Sequence, residues 1–287
     1  MPPRWIWPLP PIRNASDALA APANSSSNLK SRVLTGLLLG GVFLAALLLL
    51  PTFHWGLLMY AIVALGGWEW AGLLKLPAPA RLAYALSIPI MAAALGALPA
   101  LAVFIPLAVF WLLLVPLWLN RLWPLPFGPW GLLLGWVILA PTGIAAIELH
   151  RASPNLVLGA ILLAVIADSG AYFTGRLFGR RKLAPAISPG KTWEGALGAA
   201  AAVALYALAV SAGVPECSLG CLGGVEAVAL ILFVASVLGD LFESHAKRQA
   251  GIKDSGDWLP GHGGVLDRAD SLSAVLPLAY LFWMWMS

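Results

Sequence analysis

L-A-V-F-I-P-L-A-V-F-W-L-L-L-V-P-L-W-L, from Leu101 to Leu119, carries no charged side chain over nineteen positions. As a helix rising about 1.5 Å per residue it would cover about 28 Å, close to the hydrocarbon thickness of a bilayer. Runs of the same kind flank it at Val33 to Leu50, Trp55 to Leu73, Leu82 to Leu98 and Trp130 to Ile147. Four more follow, near Asn155 to Phe173, Gly195 to Ala212, Val225 to Leu241 and Ala269 to Trp285. Continuous apolar runs satisfy their own backbone groups as helices, whereas the strands of a membrane barrel would alternate in polarity. The expected fold is therefore all-α: a polytopic integral membrane protein of about nine transmembrane helices.

Composition excludes the soluble alternative. The 287 residues are 60% hydrophobic and 10% charged, with a mean hydropathy of +0.86, where a soluble domain carries roughly a quarter charged residues. The positive-inside rule tests the span count independently. With nine spans and a cytoplasmic N-terminus, sixteen of the seventeen Lys and Arg residues fall on the internal side, and only Arg151 is left outside. An even number of spans would put one of the two large basic loops on the wrong side. This placement accounts for the net charge of +4 without nucleic acid as a partner. The tryptophans at span ends, such as Trp55, Trp68, Trp70, Trp123, Trp130, Trp283 and Trp285, read as an interfacial belt. Cys217 and Cys221 are too few for a disulfide framework and form no metal pattern; they either pair across an exported loop or stay inert.

Charge divides the chain. Residues 1–32, rich in Pro, Ser and Ala with no apolar core segment, read as a mobile cytoplasmic tail and not as a cleavable signal. Between Val33 and His150 five residues are charged: Glu69, Lys75, Arg81, Arg121 and Glu148. From Arg151 to Asp270 there are twenty. Residues 33–150 are thus expected to be a five-helix scaffold, and 151–287 a four-helix region that carries the chemistry.

Asp168 sits inside the sixth run, about five residues before its expected cytoplasmic end, or some 7 to 8 Å deep. An ionised carboxylate inside a span costs roughly 2.5 to 3.5 kcal/mol at the helix centre, which points to a cation or a water-filled cavity; a single interhelical hydrogen bond is the plainer alternative. Asp240 and Glu243 form an i, i+3 pair at the end of the eighth run, and Asp267 and Asp270 another at the start of the ninth. Like charges gathered at an apolar boundary call for a hard cation, proton uptake or basic partners. Oxygen donors favour magnesium over zinc, since His262 stands alone.

Between the pairs runs S-H-A-K-R-Q-A-G-I-K-D-S-G-D-W-L-P-G-H-G-G-V-L-D-R-A-D, Ser244 to Asp270. Gly261, Gly263 and Gly264 around His262 would let backbone N–H groups approach a phosphate. Lys247, Arg248, Lys253 and Arg268 are suitable phosphate partners. A second basic loop, Gly175 to Gly195, contains G-K-T at Gly190 to Thr192. It lacks the further glycine of a P-loop, with Pro185 in its place, and an ATPase loop is rejected. Ser188 or Thr192 could instead cap the seventh helix beside an anion, or serve as a plain cap, with Arg180, Arg181 and Lys182 facing the membrane surface.

The run from Ser244 to Asp270 resembles the C-terminal signature of the phosphatidate cytidylyltransferases (CDP-diacylglycerol synthases) in its K-R, K-D, H-G-G and D-R-x-D elements. Ala246 and Ala269 replace larger side chains of that pattern. The runs D-S-G-A-Y-F-T-G-R-L-F-G from Asp168 and I-S-P-G-K-T-W-E-G from Ile187 resemble the same family, and Trp68-Glu69-Trp70 adds a weaker likeness in front. The resemblance implies a transferase of phospholipid biosynthesis in the inner membrane. It would join CTP to phosphatidic acid with magnesium, giving CDP-diacylglycerol and pyrophosphate at a site facing the cytoplasm. It also implies that Asp240 and Asp267 are metal ligands, with Asp270 close by.

On this reading Asp240, Asp267 and Asp270 hold one cation, and Asp168 either holds a second or orients. Lys191, Lys247, Arg248, Lys253 and Arg268 meet phosphates, Lys253 at the reaction centre with Asp254 beside it. Ser188, Thr192, His262, Gly263 and Gly264 shape the nucleotide pocket. Two rivals remain: a CTP-dependent polyprenol or phytol kinase, and an ion-coupled transporter, for which no inverted repeat is visible. Whether the chain forms a homodimer is left open.

Overall fold

The computed structural model describes residues 25–213, 218–256, 258 and 263–286. Among them lie nine apolar helices, in the order the hydropathy runs predict: α1 (Ser25–Leu49), α2 (Thr52–Leu73), α3 (Ala78–Gly96), α4 (Ala100–Arg121), α5 (Pro129–Ala152), α6 (Pro154–Phe178), α7 (Trp193–Ala212), α8 (Leu219–Ala250) and α9 (Leu272–Met286). Helices α2 to α8 are long and apolar enough to cross a membrane; the apolar parts of α1 and α9, Gly36–Leu49 and Leu272–Met286, are shorter. The chain is thus an all-α, multi-pass membrane protein. Helix α1 begins at Ser25, inside the stretch read as a tail.

Local chemistry sets several boundaries. Helix α4 contains a π-helical turn at Phe110–Leu114, between Pro106 and Pro116, whose rings each remove a backbone donor. Ser153 caps α6, with Pro154 at the first helical position, and Ser218 caps α8 by accepting the Cys221 N–H. Gly251 ends α8 in the left-handed conformation (φ 78°), and the Gly251 and Ile252 N–H groups bond back to Arg248 and Lys247.

Helix α2 packs on α3 and α5 in the front half; α6 packs on α7, and α7 on α8, in the back. Helix α9 lies against α5 and α8 and also touches α4 and α6, which joins the halves. Two of the tryptophans assigned to the interface belong to the core instead. Trp55 and Trp70 are buried, and their indole N–H groups donate to Ala146 O (3.1 Å) and Gly131 O (2.9 Å). The rings tie α2 to α5, which an unbranched apolar run cannot announce. Trp123, Trp130 and Trp285 are exposed, as a belt requires.

Between α6 and α7 the chain makes an antiparallel hairpin that the hydropathy pattern does not foresee, β1 (Lys182–Ala184) and β2 (Ser188–Thr192). The Glu194 carboxylate accepts the backbone N–H groups of Arg180 and Arg181 at 3.0 and 3.1 Å, anchoring the hairpin to the first turn of α7.

Candidate active site

Helix α6 carries Asp168, the hairpin carries Ser188 and Lys191, and α8 carries Asp240. All four, and Thr192 with them, line one cavity of about 460 Å³. Its walls are largely small or apolar, among them Ala167, Ala171, Ala196, Ala199 and Phe233. The Lys191 ammonium reaches Asp240 Oδ2 at 2.5 Å, and Ser244 donates to Asp240 Oδ1 at 3.2 Å. Helix α6 continues to Phe178, five residues past its expected end, so Asp168 lies about 15 Å from the helix terminus, twice the expected distance. The added residues carry Arg176, whose guanidinium donates back to the Tyr172 hydroxyl at 2.7 Å. G-K-T lies on strand β2, with Thr192 capping α7 by accepting the Gly195 N–H at 3.1 Å. That geometry agrees with the rejection of a P-loop.

A second cluster lies where α8 meets the segment before α9. Lys247 bridges Glu243 Oε1 (3.1 Å) and Asp267 Oδ1 (2.6 Å). Asp267 Oδ2 accepts the N–H groups of Ser255 (2.9 Å) and Gly264 (2.8 Å). Burial works to raise the Asp267 carboxyl, but Lys247 and the two N–H groups outweigh it and hold it below its ordinary value. Asp270 lies within electrostatic reach of Asp240 and Asp168. Gly239 makes this convergence feasible, because a Cβ there would come 2.5 Å from the Asp270 carbonyl oxygen. The two acidic pairs therefore meet, and Asp168 in the cavity adjoins them.

Gly263 and Gly264 serve a different end from the phosphate cradle expected of them. Gly263 has φ 79°, and a Cβ there would meet Asp267 Oδ2 at 2.8 Å; the Gly264 N–H is already bonded to Asp267. These glycines fold the loop around the protein's own carboxylates. Arg248, Lys253, Asp254 and Arg268 are exposed around this cluster and do not line the cavity. His262 and Gly261 lie outside the described residues.

Glu69 is the residue that sequence reasoning assigned to scaffold. It is buried at the end of α2, yet Val265 N–H, Leu266 N–H and Ser255 Oγ–H all donate to its carboxylate at 2.8 to 2.9 Å. The signal was present, since a lone acid in an apolar run needs the same explanation as Asp168. Hydrogen bonds to a charged group are worth roughly 1.5 to 3 kcal/mol each, enough together to offset its burial.

As their side chains stand, no three acidic, His or Cys groups among the described residues converge closely enough to hold an ion. Two features nonetheless fit a divalent cation. The nearby donors are oxygens, and Glu243 Oε2 is buried with no hydrogen-bond partner while Oε1 has only the Lys247 ammonium at 3.1 Å, which it shares with Asp267.

The model of the cytidylyltransferase family matches residues 30–286. A phosphatidate cytidylyltransferase of Pseudomonas aeruginosa is 43% identical over 266 residues, covering 89% of this chain and 97% of that protein. One from Haemophilus influenzae is 34% identical over 305 residues, covering 89% and 98%. One from Brucella suis is 52% identical over 126 residues, covering 42% and 44%. Matches that run nearly end to end cannot come from one shared motif, and this chain is a nucleotidyltransferase of the cytidylyltransferase family.

Proposed function

We propose that this enzyme transfers CMP from CTP to phosphatidic acid, releasing pyrophosphate and forming CDP-diacylglycerol, at a site on the cytoplasmic side of a bacterial inner membrane. The single observation that carries the reading is the lysine-bridged meeting of α8 carboxylates with the pre-α9 segment, beside a cavity that opens between apolar helices. Two long relatives bear the matching name, and sixteen of seventeen basic residues fall on one side of the expected topology.

The chemistry needs little from a base. A phosphatidate phosphate oxygen is already anionic at neutral pH; it attacks the α-phosphorus of CTP, and the bond to the bridging oxygen breaks as pyrophosphate leaves. The protein must align the two phosphates and neutralise charge that develops on the leaving group. Lys191 and Lys247 are each held by a carboxylate and are poised to turn to phosphate oxygens. Exposed Arg248, Lys253 and Arg268 add positive charge on the side from which a nucleotide would enter, with Asp254 and His262 near them in sequence. The apolar cavity walls suit the acyl chains of the lipid, and Ser188 and Thr192 are hydroxyl-bearing residues of its lining.

Magnesium is the cation this donor set favours. Asp240 and Asp270 would hold it, Asp168 would hold a second ion or orient the first, and Asp267 offers Oδ1 once Lys247 turns to a phosphate. Bound there, the ion supplies Lewis-acid polarisation of the phosphates and neutralises triphosphate charge.

The test is pyrophosphate release by purified protein. Release should require phosphatidate, CTP and magnesium together, and release independent of phosphatidate would remove the lipid from the reaction.

A further inference from the structure

We propose that Glu69 is a positioning residue for nucleotide transfer, a carboxylate from the front half that holds the two described ends, at Ser255 and at Val265 and Leu266, of the loop between α8 and α9. This inference rests on the transferase reading above. The bonds it makes cross 186 to 197 residues of sequence: Ser255 Oγ–H and Leu266 N–H donate to Oε2 at 2.9 and 2.8 Å, and Val265 N–H donates to Oε1 at 2.8 Å. Both ends of the loop are therefore fixed to one side chain. The loop is also shaped to admit it, because a Cβ at Gly256 or at Gly264 would come within 2.6 Å of Glu69 Oε1.

A carboxylate so engaged is a poor ion ligand and a poor proton carrier; of its roughly four lone-pair sites, two are taken by backbone N–H groups and one by the Ser255 hydroxyl. Its consequence lies one bond away. Ser255 and Gly264 are also the residues whose N–H groups hold Asp267, and Asp267 holds Lys247. Glu69 thus sets where the loop stands, the loop sets Asp267, and Asp267 sets the lysine that faces phosphate. A displacement of about 1 Å at a reacting group can cost roughly 100-fold in rate.

Glu69→Gln keeps one acceptor oxygen and nearly the same volume, so it separates position from bulk. Expected per folded molecule in detergent is a fall in kcat of roughly 10- to 100-fold with a raised KM for CTP. Glu69→Ala should lose more, and trypsin should cut at Lys253 faster in both variants than in wild type. Ser255→Ala removes one of the three donors and should give a smaller loss that is not additive with Glu69→Gln. Wild-type kcat and KM in Glu69→Gln would overturn the proposal. So would a loss of activity that only tracks the folded fraction, which is the signature of a purely structural role. If wild type itself made no CDP-lipid, the transferase reading would fail instead, while faster tryptic cleavage of Glu69→Gln would still uphold the loop anchor.

Discussion

The front and back halves use the same apolar alphabet but treat buried charge in opposite ways. In front, Glu69 is buried and met by three donors from its own chain. In back, Asp168 and Asp240 face a cavity, and buried Glu243 has only a lysine it shares with Asp267, its Oε2 left without a hydrogen bond. A buried charge satisfied by the protein holds a fold together, and one left in excess marks where a ligand completes the structure. The contrast separates scaffold from site more sharply than hydropathy does, and substitutions in the two halves should fail in different ways, Glu69 excepted because its bonds reach into the back half.

The largest effect should come from Asp240→Asn. It removes charge beside both Lys191 and Asp270, and kcat should fall by roughly 1,000-fold or more while insertion and thermal unfolding in detergent stay near wild type. Retained turnover would place the chemistry elsewhere. Lys191→Ala should cost roughly 10- to 100-fold in kcat/KM for CTP. Its stability should barely change, because both partners are about a quarter exposed and such pairs contribute little. Trp55→Phe inverts the pattern. The indole is fully buried, stacks on His150 and donates to Ala146 O, so its loss should cost about 1 to 3 kcal/mol and lower the unfolding midpoint by several degrees, with kcat unchanged.

The smallest effect is one of pH. Asp267 is held below its ordinary value of 3.8 in the folded protein, so the folded state binds that proton less tightly than the unfolded state does. The stability it contributes is fully present above that ordinary value and is lost as pH falls through the lower folded one. Hydrogen exchange of the Ser255 and Gly264 amides should stay slow from neutral pH down to about 5, after correction for intrinsic rates, and speed up only in stronger acid. Asp267→Asn should exchange fast throughout.

Much of this was legible in the chain. Apolar runs such as Leu101 to Leu119 marked each helix, because a bilayer leaves the backbone no cheaper arrangement. The carboxylates at 168, 240, 267 and 270 stood out because an acid near hydrocarbon needs a reason. The hairpin did not, since S-P-G-K-T is poor in strand-forming residues and its pairing partner contributes three residues. Nor did the depth of Asp168, because α6 runs on through Thr174 and Arg176 after its apolar run ends. Glycines 263 and 264 showed a close approach but not its object, which lay in Asp267 and in a helix almost two hundred residues away.

One measurement bears most directly on the back half as a nucleotidyl-transfer site: purified protein incubated with phosphatidate, magnesium and CTP labelled in turn at the α- and γ-phosphate. The account predicts that α-label enters the lipid as CDP-diacylglycerol while γ-label leaves as pyrophosphate, and that Asp240→Asn abolishes both. Entry of γ-label into lipid with release of CDP would identify a kinase and contradict it.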